Sequence, residues 1–166
     1  MGKIATLEEV LKATQKARKQ GKKIVATNGC FDILHVGHVR NLQAAKKLGD
    51  ILIVGVNSDA SVRQNKGSLR PIVPARERAE VIAALEAVDY AFIFSGKTPL
   101  GWIAKIKPDF HVKGGGADVK AHPDFPKHEE VVRKEGGKLI LLKHHHGRST
   151  STIIDKIVEA EKRKKT

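Results

Sequence analysis

The sequence holds one cysteine, Cys30. That excludes an intramolecular disulfide, and with it the stapled architecture of small secreted domains. Aromatic residues are scarce: five phenylalanines, one tyrosine and one tryptophan, too few for a surface that stacks successive bases of a nucleic acid. No stretch approaches the roughly 18 uninterrupted apolar residues of a membrane-spanning helix, and no apolar signal-type run opens the chain. Acidic residues are also short, 18 Asp and Glu against 31 Lys and Arg, for a formal net charge of +13. The basic residues spread from Lys3 to Lys165, with one dense cluster at Lys162, Arg163, Lys164 and Lys165. This reads as a solvated basic surface ending in a frayed tail, not a dedicated nucleic-acid face. A soluble, cytoplasmic protein with phosphorylated small molecules as its anionic partners is the expectation, with neither membrane nor nucleic acid among them.

What remains is a chain of 166 residues, 40% of them hydrophobic, enough to bury one core. Leu7, Val10, Leu11, Thr14 and Ala17 fall at helical spacing behind a capping box of Thr6 and Glu9, predicting a helix over 7–20. Strands are predicted at 23–27, 51–56, 90–94, 110–113 and 138–142. Helices are predicted at 38–48, 75–87, 99–106, 125–135 and from about 149 to 160. Strands alternating with helices imply one doubly wound, Rossmann-like α/β domain, a parallel sheet with helices on both faces. Its parts are an N-terminal helical segment (1–21), a catalytic core (22–160) and a basic tail (161–166). The longest irregular segment, 57–74, is a candidate substrate loop or simply a mobile surface loop.

The loop between the first predicted strand and the next helix reads Asn28-Gly-Cys-Phe-Asp-Ile-Leu-His-Val-Gly-His38. In an open parallel sheet ligands sit beyond the carboxyl ends of the strands, and this loop lies there. His35 and His38, on either side of Gly37, can both face an anion held over a helix N-terminus, and a triphosphate is the natural guest. The same pair could bind a metal or be structural. Ser149, Thr150 and Ser151 stand where the last helix should begin, which suits either a helix cap or a second phosphate cradle. Cys30 reads most simply as a small packed residue.

The block from Thr27 to Asp59, with Arg70-Pro-Ile, Glu77-Arg78, Val112-Lys-Gly-Gly115 and Arg148-Ser-Thr150, resembles the HxGH nucleotidylyltransferases of the cytidylyltransferase-like superfamily. Within it the chain is most similar to heptose 1-phosphate adenylyltransferases. The resemblance implies direct attack of a substrate phosphate on the α-phosphorus of ATP, release of pyrophosphate and formation of an ADP-sugar. No general base is needed; the task is to bring two anions together and stabilise charge on the α-phosphate and the leaving group. It further implies His35, His38 and Lys46 as catalytic residues. Asn28, Gly29, Cys30, Phe31, Gly37, Lys113, Gly114, Gly115, Arg148, Ser149, Thr150 and Ser151 would bind nucleotide, and Asp32, Arg63, Lys66 and Arg78 the acceptor. Mg²⁺ accompanies ATP with no complete protein metal cage, and a homodimer is the expected assembly.

Two departures from the family pattern stand out. Relatives often read Lys-Gly-Gly-Asp where this chain has Lys113-Gly-Gly-Gly-Ala-Asp118, so the base contacts are left unassigned. His144, His145 and His146 precede Gly147 where cytidylyltransferase relatives place an arginine, and one of them is a candidate replacement cation. Ser95-Gly-Lys-Thr98 lacks the upstream glycine of a P-loop. Rival readings within the fold are a cytidylyltransferase acting on glycerol or ethanolamine phosphate and a flavin mononucleotide adenylyltransferase; the rival outside it is a basic nucleic-acid-binding module.

Overall fold

Two runs of mostly apolar residues form the middle of the sheet in the computed structural model, which describes residues 2–114, 125–142 and 149–164. They are β2 (Ile24–Gly29) and β3 (Ile51–Asn57). Being covered on both faces, they carry apolar residues at odd and even positions alike, as interior parallel strands do. β4 (Tyr90–Phe94), β5 (Phe110–Gly114) and β6 (Lys138–Leu142) were expected within a residue of where they lie. A two-residue strand, β1 (Lys3–Ile4), was not expected. The order across the sheet is β1-β4-β3-β2-β5-β6, and every described pairing is parallel.

α1 (Leu7–Lys19) starts with the expected capping box: the Thr6 hydroxyl accepts from the Glu9 N–H and the Glu9 carboxylate accepts from the Thr6 N–H. α2 (Val36–Lys46) begins earlier than the expected 38, because His35 itself is the N-cap. The predicted irregular segment 57–74 requires correction, since α3 (Asp59–Lys66) occupies its first half. Ser58 caps that helix by accepting from the Ser61 N–H at 3.2 Å, and Ser61 and Val62 are its buried anchors. α4 (Ala75–Ala83) stops four residues short of expectation, α5 spans Leu100–Ile106 and α6 Phe125–Lys134. α7 runs from Thr150 to Lys164, so the cluster from 162 to 164 is the helix's last turn and not the frayed tail expected.

Successive residues of β2 serve opposite layers. Val25 packs with Leu42 and Ala45 of α2 and Ala79 and Ile82 of α4, whereas Ile24 and Ala26 pack with Val10 of α1, Trp102 and Ile103 of α5 and Val132 of α6. The connection after β2 thus passes over one face and the connection after β5 over the other. Their neighbouring carboxyl ends form the topological switch point at which such sheets bind ligands. Among the described residues no helix is long and apolar enough to cross a membrane.

Candidate active site

A cavity of about 480 Å³ opens at that switch point. Thr27, Asn28 and Gly29 from the end of β2 and Val112 and Gly114 from the end of β5 form its floor. One wall is the start of α2, with His35, Gly37, His38, Asn41 and Leu42; at another stand Ser149, Thr150 and Ser151. Lys66 and Arg70 supply positive charge from the α3 side.

The histidine pair is built into the helix start. His35 Nδ1 accepts the Gly37 N–H at 3.1 Å, so this imidazole caps α2. The two rings stack with centroids 3.8 Å apart and planes 28° apart, and Phe31 packs edge-to-face with His38, centroids 5.2 Å apart. Burial, then the neighbouring His35, lowers the His38 pKa from 6.5 to about 4. At neutral pH His38 is therefore an uncharged imidazole whose buried Nδ1 has no hydrogen-bond partner among the described residues. Phe31 adopts φ of +49°, a left-handed conformation uncommon outside glycine, and its ring lies where a side chain at Gly29 would begin, 3.0 Å from that Cβ position. Such strain persists only where the surroundings fix it, and it collects at functional sites.

Asp32 also lines the cavity, but its oxygens are already engaged. Oδ1 accepts the N–H groups of Ile72 and Val73 at 2.8 and 2.9 Å, and Oδ2 pairs with Arg70 Nε. It latches the segment after α3 against the motif loop, which makes direct acceptor contact the weaker role for it. Burial raises the Cys30 pKa, outweighing the lowering by Lys66 and Arg78, so its thiol stays protonated and serves as lining.

Three expected contacts require correction. Lys46 lies on the last turn of α2, eight residues from His38, about 12 Å of helical rise. Its ammonium donates to Asp89 Oδ2 at 2.5 Å and to the Asp50 carbonyl at 2.6 Å, pinning the far end of α2 to the sheet. Arg63 is exposed and does not line the cavity; Lys66, three residues on, does. Arg78 is fully buried, donating to the carbonyls of Val73 and Cys30 and to Asp59 Oδ1, and so holds the motif loop instead of touching phosphate. Lys113 acts one layer back, donating to Asn28 Oδ1 at 2.9 Å. Ser149 realises the capping alternative, its Oγ accepting the Thr152 N–H at 3.1 Å, while Thr150 and Ser151 face the same cavity. Gly115, Asp118, His144, His145, His146, Gly147 and Arg148 lie outside the described residues. Among the described residues no three carboxylate, His or Cys side chains gather as a metal cage.

Sequence reasoning missed Arg70 and Asn41 as cavity residues. Asn41 had a usable signal, three residues past His38 and hence on the same helical face. Arg70 had a weaker one, its place in the Arg70-Pro-Ile block of the 57–74 segment, because where its side chain lies depends on the turn after α3.

A family profile described as cytidylyltransferase-like matches residues 26–156. The bifunctional protein HldE of Citrifermentans bemidjiense is 47% identical over 95% of the chain, and that of Geobacter metallireducens 48% identical over 95%. The chain spans about a third of the length of these relatives, 32% and 31%. Among solved structures, a lipopolysaccharide core biosynthesis protein from Thermoplasma volcanium is 29% identical, with a TM-score of 0.61 over 78% of this chain and 100% of its own. A pantoate-beta-alanine ligase from Francisella tularensis shares the fold at 17% identity, with a TM-score of 0.61 over 91% of this chain and 69% of its own. With its stacked histidine pair at the head of α2, over the switch point of a parallel sheet, this chain belongs to the cytidylyltransferase-like family.

Proposed function

We propose that the chain transfers AMP from ATP to heptose 1-phosphate, releasing pyrophosphate and giving an ADP-sugar. The observation that carries this reading is one cavity joining the start of α2, its His35–His38 stack with His38 uncharged, the start of α7, and the cations Lys66 and Arg70. Helix N-termini present unsatisfied N–H groups to anions, and here two converge on one place. The triphosphate would lie across them, with the acceptor phosphate against Lys66 and Arg70. An acceptor oxygen attacks the α-phosphorus, the bond from that phosphorus to the bridging oxygen breaks, and pyrophosphate leaves with the electron pair. An uncharged imidazole contributes a hydrogen bond to charge developing on the phosphates without a full charge that would hold the product.

Mg²⁺ would arrive on the triphosphate, where it neutralises charge on the leaving pyrophosphate. The donor set fits that mode and not a protein cage, because Asp32, the carboxylate among the described cavity residues, is already occupied by Arg70 and two backbone N–H groups. The HldE relatives and the lipopolysaccharide core protein support a sugar phosphate as acceptor over glycerol phosphate or a flavin. A cytoplasmic setting suits an ATP-using enzyme with a lone protonated thiol.

A homodimer belongs to the same proposal. α7 has no buried residue, and Ile157 and Val158 are 55% and 47% exposed. Its acidic Asp155 and Glu159 precede the basic residues 162–164, so an antiparallel second copy would set unlike charges side by side while covering the apolar stripe. The deciding assay of the chemistry is initial-rate pyrophosphate release with each nucleoside triphosphate against heptose 1-phosphate, glycerol phosphate and flavin mononucleotide. ATP with heptose 1-phosphate should exceed every other pair in kcat/KM; CTP exceeding ATP would move the chain to the cytidylyl branch.

A further inference from the structure

The cavity is polarised along its length. The positive charge of Lys66 and Arg70 lies at the α3 side, and the histidines and helix starts mark the phosphate positions. The remaining recess, between α2 and β5, is the place left for the nucleoside. Its sides are largely apolar: Leu42 and Val112 are buried and face it, and Gly114 contributes bare backbone. A flat heteroaromatic ring suits such a slot. Sequence comparison left the base contacts unassigned, with the family carboxylate displaced to Asp118.

Most polar side chains near this recess are already committed. The Thr27 hydroxyl donates to the Val112 carbonyl at 2.8 Å, and Asn28 Oδ1 accepts from Lys113 at 2.9 Å. Asn41 differs. It stands three residues, about 4.5 Å of helical rise, beyond His38, and its Oδ1 is buried without a hydrogen-bond partner among the described residues. Its Nδ2 abuts Gly114 so closely that a Cβ there would lie 2.3 Å away, and this contact fixes the amide between helix and strand. A buried carboxamide oxygen left unpaired carries an uncompensated desolvation penalty, which a ligand donor would relieve. A carboxamide offers an acceptor beside a donor, the complement of the adenine edge that sets an amino group beside a ring nitrogen.

From this juxtaposition we infer that Asn41 is the side chain that reads the base of the donor nucleotide, accepting a hydrogen bond from the 6-amino group of adenine in the recess between α2 and β5. The inference rests on the nucleotidyl-transfer reading for its nucleotide. It does not rest on the acceptor, so equilibrium binding without acceptor tests it separately. The probes are ATP and purine riboside 5′-triphosphate, which lacks only the amino group, titrated calorimetrically into the wild-type chain and the Asn41→Leu variant. Wild type should bind ATP about tenfold or more tightly than the analogue. Asn41→Leu should weaken ATP by a similar factor, leave the analogue within about twofold and so abolish the preference. Far-ultraviolet circular dichroism of the variant checks that α2 is intact. Equal binding of ATP and analogue to wild type overturns the inference whether or not the variant folds, and so does a preference that survives in Asn41→Leu. Discrimination in binding without turnover of heptose 1-phosphate would leave Asn41 in its role and remove the acceptor.

Discussion

Two helices bring their N-termini to the cavity, and they are anchored in opposite ways. α2 buries Gly37, Leu42 and Ala45 against the sheet and is pinned at its far end by the Lys46–Asp89 pair. α7 buries none of its residues; its first turn is held by the Ser149 cap and a long 3.4 Å contact from Thr150 to the Ile33 carbonyl. An isolated helix of 15 residues is marginal in water, because helices in proteins draw most of their stability from a packed apolar face. The two cavity-facing ends are therefore unequal. α2 presents a preorganised site, and α7 presents one whose order depends on what binds its start or covers its stripe. Preorganisation serves the chemical step, and an element that orders on binding serves capture and release.

The largest consequence lies in turnover. His38→Ala removes a group fixed by α2 and should lower kcat by about 10²-fold or more, as loss of an oriented transition-state donor does. Thr150→Ala on α7 should cost about tenfold, chiefly in the KM for nucleotide. Steady-state kinetics of both variants decides the matter: equal losses in kcat would erase the distinction between the helices, and near-normal turnover of His38→Ala would remove the catalytic assignment.

Acidification probes α2 from a second side. Burial lowers the pKa of His38 to about 4 in the folded chain, below the roughly 6.5 of an unfolded one. Between those values the unfolded state binds a proton that the folded state refuses, so stability is full above about pH 6.5 and declines as pH falls toward 4. Fully buried His111, its pKa lowered well below the ordinary value first by burial and then by Lys113 and His128, acts with the same sign. Urea melts from pH 7 to 4.5 should therefore be less acid-sensitive in His38→Gln than in wild type, though not flat. ¹H–¹⁵N titration that finds His38 protonating near 6.5 in the free protein would contradict the packing described for it.

How much of this was legible beforehand depended on whether a signal was local. The capping box at Thr6 and Glu9, the apolar runs of β2 and β3 and the His35–His38 spacing each state their structure within a few residues, and the fold follows from their order. β1 was illegible because two residues become a strand only by pairing with Tyr90 and Ala91, far along the chain. α3 hid in a polar stretch whose Ser58 cap was readable but whose single buried valine, Val62, gave no periodicity. The basic residues failed for a different reason. Lys46, Arg63 and Arg78 were assigned by resemblance to the family pattern, whereas helical rise removes Lys46, helical phase turns Arg63 outward, and burial commits Arg78 to three backbone and carboxylate acceptors. The resemblance supplied Lys66; tertiary geometry adds Arg70 to the cavity lining.

A smaller effect tests the anchoring of α2 itself. Lys46→Ala removes a partly exposed ion pair at the end of the helix remote from the cavity, so it should cost about 1 kcal/mol of stability and leave kcat and both KM values within about twofold. Chemical denaturation and kinetics on one preparation give both readings. A loss of kcat approaching that of His38→Ala would return Lys46 to the chemistry and show that α2 transmits strain from its far end.

The covering of α7 is tested by Ile157→Asp. The site is 55% exposed in the single chain, so a monomer tolerates the substitution with little loss of its own stability. If a second copy covers the stripe, a carboxylate there meets its own symmetry mate across an apolar contact, and the dimer should dissociate. Sedimentation velocity at micromolar concentration should then show wild type at twice the mass of the variant. With its stripe uncovered, the start of α7 would hold nucleotide less firmly, and the KM for nucleotide should rise a few-fold while kcat stays near wild type, because the α2 side is untouched. A wild-type monomer at these concentrations would refute the second copy as the covering element. A variant that dissociates with unchanged KM would show that the first turn of α7 is held by the Ser149 cap and the cavity alone.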